Sequence, residues 1–199
     1  MLKAPEPTFE KRPLTPKGSH IATCYGLVQI GTVPVVWQGQ TKEMEKVRLT
    51  WELPEELHEF KEGEGKKPLV ISQEYTHSMG SKSNLRPIVE GILGVALQDE
   101  EAYAFDLEEL LGRSCILSIQ HDKTSKGNDF AFVQSASPLM KGMKAPAQIN
   151  ETSILTYEKW DEEKFNKLPS FITDKMKTSK QYKVLKGVEE SINPDDIPF

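Results

Sequence analysis

Aromatic and basic side chains fall together at three places in this chain. Trp37 stands shortly before Lys42, Lys46 and Arg48, Tyr75 before Lys82 and Arg86, and Phe130 and Phe132 just after Lys123 and Lys126. Aromatic faces set among cations suit one chemistry above others: bases stack on the rings for about 1–3 kcal/mol each while lysine and arginine follow the phosphates, and neither contact reads base identity. The competing role of each aromatic is core packing, and that of each cation a solvated surface position. Trp51 shares its spacing with Val47, Leu49 and Leu53 and is expected in the core.

Reaction chemistry has little to build on. His20, His58, His77 and His121 are scattered, and His20 and Cys24 lie four residues apart in a β-like segment. At about 3.3 Å per residue that is roughly 13 Å, too far for a shared zinc. Gly63–Lys67 superficially resembles a phosphate loop but has no Ser or Thr after its lysines, and a proline follows where a helix would start. The adjacent carboxylates Glu55 and Glu56, and Glu108 and Glu109, would diverge on a helix and are expected to be solvated. No Gly-x-Ser-x-Gly elbow is present. The expectation is a binding protein with no catalytic residue, no metal and no cofactor.

The elements that must position these groups follow from pattern. Residues 1–18 hold Pro5, Pro7, Pro13, Pro16 and Gly18, too many breakers for a regular element, and are expected to form a flexible arm. His20–Val33 reads as a long strand bent at Gly26, Lys46–Leu53 as a strand with one buried face, and Pro68–Met79 as a third strand. Trp37 and Lys42 then fall in a long loop between the first two strands. Ser83–Gly94 and Asp106–Gly112 carry helical spacing with a terminal glycine, and Ser114–Lys123 with Asp129–Ser137 forms a hairpin. Three strands, a helix and two strands is the order of a five-stranded oligonucleotide-binding (OB) barrel, a mainly β fold, expected over residues 19–140. Residues 141–180 read as a linker and helical extension whose Phe165, Leu168, Ile172 and Met176 pack on the barrel, with Pro169 suited to a first helical turn.

Among the 199 residues, 25 basic and 30 acidic side chains leave a net charge of −5, so contact with nucleic acid must come from local patches. Residues 113–144 supply one, with five cations against Asp122 and Asp129. Apolar residues are 37% of the chain, low enough that part of it should be solvated tail. No apolar run reaches the roughly 18 residues of a membrane span, and the charged, proline-broken start is unlike a signal peptide. Cys24 and Cys115 each sit in an apolar run, as buried reduced thiols would. A cytoplasmic location is expected.

From Gln181 apolar density falls, and the chain closes on Asp195-Asp196-Ile197-Pro198-Phe199. This ending resembles the acidic C-terminal tip of bacterial single-stranded DNA-binding proteins, which recruits replication, recombination and repair enzymes. The segments Gly18–Ala22, Trp51–Pro54, Lys82–Arg86, Asp106-Leu107 with Leu111-Gly112, and Lys167–Pro169 resemble bacteriophage-encoded single-stranded DNA-binding proteins over most of residues 18–180. The resemblance implies an OB-fold protein that coats and protects single-stranded DNA in phage replication and recombination within the host cytoplasm. It also implies a flexible tail, residues 181–199, through which Asp195, Asp196, Ile197, Pro198 and Phe199 engage host or phage replication, recombination and repair proteins. Association into a homo-oligomer is compatible with this reading, but the different motif order and long helical extension do not carry over the bacterial tetramer. The rival is an OB-fold adaptor that engages replication enzymes through the tail without binding DNA.

Overall fold

The alternation in the second strand becomes burial in space. In the computed structural model, which describes residues 13–37 and 39–188, Val47, Leu49, Trp51 and Leu53 are covered, while Lys46, Arg48 and Thr50 look outward. They belong to β2 (Gln40–His58), which pairs antiparallel with β1 (Gly18–Trp37) on one side and β3 (Lys67–Thr76) on the other. The chain then passes through α1 (Leu85–Leu93), α2 (Asp99–Ala104) and a 3-10 turn (Leu107–Leu110) before β4 (Ser114–Lys123) and β5 (Asp129–Ser137). The sheet runs β3-β2-β1-β4-β5. A mainly β fold with a helix between the third and fourth strands is therefore present.

Several local expectations change. β1 and β2 approach to within two residues of each other, so the long loop expected between them is a tight hairpin and Lys42 is a strand residue paired with Val35. That arm was hidden because Thr41–Lys46 has no apolar alternation, its side chains being exposed or half-buried. The helix expected at Asp106–Gly112 is only the 3-10 turn, with Asp106 capping Glu108 N–H at 2.9 Å, and α2 was not anticipated. Thr15, in the arm, is buried and its carbonyl accepts from His121 Nε2 at 2.8 Å, which ties that end of the arm to the body.

Backbone pairing does not close the sheet into a barrel. β3 and β5 face one another, and the bridge between them is a side chain: Gln73 Nε2 donates to Val133 O at 3.2 Å, and Val133 N–H donates to Gln73 Oε1 at 2.7 Å.

β1 changes its buried face along its length. Register shifts between Cys24 and Gly26 and between Gln29 and Gly31 mark bulges, and each inserted residue inverts the alternation that follows. Ala22, Cys24 and Leu27 enter the main core, whereas Val28, Ile30 and Val33 enter a second core on the other side of the sheet. Gly31 makes this possible. Its φ is +92°, and a Cβ there would lie 2.7 Å from Gln181 Oε1.

The second core is covered by the extension. A short strand β6 (Ser153–Leu155) runs parallel to β1 at Gly26–Val28, followed by α3 (Glu162–Lys167), α4 (Ser170–Lys177) and α5 (Lys180–Leu185). Phe165, Ile172 and Met176 are buried against β1 and Leu168 packs beside them, at about 1.5–3 kcal/mol for each fully buried side chain. The expected stripe thus packs on the sheet, with Pro169 at the N-cap of α4 and helix continuing past residue 180 to Leu185.

Candidate nucleic-acid interface

The outward residues of β2 and β3 form a polar floor. Cross-strand register sets Lys46 against Thr76, Arg48 against Glu74 and Thr50 against Ser72. Lys46 Nζ donates to Thr76 Oγ1 at 2.8 Å, and the Thr50 and Ser72 hydroxyls lie 2.9 Å apart. Partial burial draws the pKa of Lys46 and Arg48 below their ordinary values, and the Glu74 carboxylate opposes both shifts.

One wall of this floor is β5. Phe130 and Phe132 alternate with the inward Ala131 and Val133, so both rings point out of the sheet, with centroids 6.0 Å apart. Phe130 is 38% exposed. With Ser72, Glu74 and Asp122 the two rings line an open cleft of about 470 Å³ where β3 faces β5. Lys123 pairs with Asp129 at 3.6 Å, and Lys126 is exposed in the adjoining β4–β5 turn.

The opposite wall is α4. Phe171, 61% exposed, lies under the Arg48 guanidinium with 5.6 Å from Cζ to the ring centroid, and Lys175 pairs with Glu74. Sequence reasoning missed Phe171, although a signal was present: it stands off the Phe165–Leu168–Ile172–Met176 stripe and must therefore face away from the second core.

Not every expected contact joins this groove. Tyr75 is only 4% exposed, packed in the main core with its hydroxyl lacking a hydrogen-bond partner, so it has no ring face to offer a base. Arg86 is committed to structure: Nε donates to Glu90 Oε1 at 3.0 Å, Nη1 to Asp99 at 2.6 Å, and Nη2 to Leu97 O. It clamps α1 to the following loop and is not offered to a phosphate. Lys42 is exposed on the β1–β2 hairpin and Lys82 on the loop after β3, outside the floor residues. Trp37 ends β1 opposite Gln40, and its side chain lies outside the described residues, as do Asp195, Asp196, Ile197, Pro198 and Phe199. Trp51 is buried, as expected.

Cys24 and Cys115 are both buried free thiols, and burial pushes each up to about 12. Among the described residues no three His, Cys, Asp or Glu side chains gather as a metal site requires, and no helix is long and apolar enough to cross a membrane. No known protein-family model matches the chain, and no curated protein sequence is similar to it.

Proposed function

We propose that the protein binds single-stranded DNA without sequence preference across the β2–β3 floor, on a sheet that is an OB-type barrel with an unpaired seam between β3 and β5. The observation that carries this reading is the outward pair Phe130 and Phe132 beside a floor bearing Lys46 and Arg48. Two rings and nearby cations offer stacking surfaces and phosphate partners without requiring a particular base edge. In this reading many copies coat exposed strands, protect them during phage replication and recombination, and present their C-terminal tails to replication and repair proteins. An array raises the effective concentration of a weakly binding tail, so that modest contacts suffice for recruitment.

Fluorescence anisotropy with labelled oligo-dT, a mixed-sequence strand and a duplex tests the proposal. Both single strands should bind alike and more tightly than the duplex. A chain that captures replication proteins through its tail but binds neither strand is the adaptor instead.

A further inference from the structure

Phe171 and Lys175 are four residues apart on α4 and therefore share a helical face. Arg48 and Glu74 are direct cross-strand neighbours on the floor. These two pairs meet, Phe171 beneath Arg48 and Lys175 on Glu74. Ile172 and Met176, buried in the second core, anchor the helix, so Phe171 is held at the groove while much of its ring remains in solvent. Glu74 meanwhile places one carboxylate beside Lys175 and across from Arg48. That is the position a backbone phosphate would take.

We infer that α4 is a working wall of the interface, where a base stacks on the open part of Phe171 and the adjoining phosphate replaces Glu74 at Lys175 and Arg48. The inference rests on the single-stranded DNA reading above. It assigns to the C-terminal extension one nucleotide-binding station, and to Glu74 the role of an internal competitor that pairs with Lys175 and sets a negative charge across from Arg48 until DNA arrives. A phosphodiester carries the same single charge as the carboxylate, so the exchange leaves neither cation without a counter-charge.

The test compares oligo-dT with an abasic strand of equal length, using the full chain and the variants Phe171→Ala, Phe171→Trp, Glu74→Gln, Lys175→Ala and Phe130→Ala, with a melting curve for each. Phe171→Ala should weaken oligo-dT binding about ten-fold, leave abasic binding unchanged, and keep the parent melting temperature, while Phe171→Trp retains affinity. Glu74→Gln should tighten binding to both strands at low salt. Lys175→Ala should weaken both and make the slope of log affinity against log salt shallower by about 0.7, the loss of one phosphate contact. Unchanged oligo-dT binding by Phe171→Ala, or an equal loss on the abasic strand, overturns the inference. So does a Glu74→Gln variant that melts normally but binds less tightly, or a Lys175→Ala variant with the parent salt slope. If the parent binds and Phe130→Ala weakens it while Phe171→Ala does not, the DNA reading stands and only the role of α4 falls. A parent that binds no single strand removes both.

Discussion

The side-chain amide of Gln73 exchanges two hydrogen bonds with the backbone of Val133, doing between β3 and β5 what a ladder pair does elsewhere in the sheet. Both strands otherwise face each other as edges, and the cleft beside Phe130 and Phe132 opens along that seam. Gln73→Leu keeps similar volume but leaves Val133 N–H without its acceptor. Such a loss costs about 1–3 kcal/mol, so the urea midpoint should fall, and Val133 N–H should exchange faster with solvent. A variant as stable as the parent would show that the amide bridge does not hold the seam.

Phe130 and Tyr75 should separate cleanly. Phe130→Ala removes a half-exposed ring and is expected to weaken single-strand binding by about 1–3 kcal/mol with little change in melting temperature. Tyr75→Phe deletes a buried hydroxyl that has no partner, so stability should stay equal or rise and DNA binding should not change. Loss of affinity in a stable Tyr75→Phe variant would contradict the assignment of Tyr75 to the core.

Much of this was legible because the informative segments each have one dry face. Val47, Leu49, Trp51 and Leu53 announced β2, and the run ending at Gly94 announced α1, which closes with that glycine at φ +73° accepting the left-handed cap. Tyr75 was harder to place, since the inward set Leu69, Ile71, Gln73, Tyr75 contains a glutamine turned inward to reach Val133 and so breaks the apolar pattern. Arg86 looked like a free cation because Asp99, one of its partners, is brought to it only by the fold. The groove itself joins β2, β3, β5 and α4, and no periodicity within one segment reports that meeting.

Glu52 carries the attachment of the chain leading to the extension. It is fully buried, with Oε1 accepting from Ile149 N–H at 2.7 Å and Oε2 from Asn150 N–H at 2.7 Å and Asn150 Nδ2 at 2.6 Å. Glu52→Gln must turn an N–H₂ group toward one of these donors. It should destabilise the protein by about 1–3 kcal/mol and expose the segment around Ile149 to protease. A variant with parent stability and parent cleavage would remove Glu52 as the anchor.

The buried thiols set an alkaline limit. Cys24 and Cys115 have an ordinary value of 9.0 when unfolded and about 12 when folded, so above pH 9 the unfolded chain ionises while the native chain keeps its protons. Their contribution to stability is complete below pH 9 and falls as pH climbs toward 12. At pH 8 neither thiol should react with a thiol reagent until urea unfolds the chain, when both should. Rapid modification of the native protein would contradict their burial.

The most direct measurement is the affinity for single strand and for duplex of equal length, each titrated across salt. Binding through Lys46, Arg48 and their neighbours should favour the single strand and fall linearly on a log–log plot, with a slope of about −0.7 for each phosphate engaged. Phe130 and Phe132 should contribute to a salt-resistant remainder that shrinks when both become alanine. Equal affinity for the two forms, or binding indifferent to salt, would contradict the account.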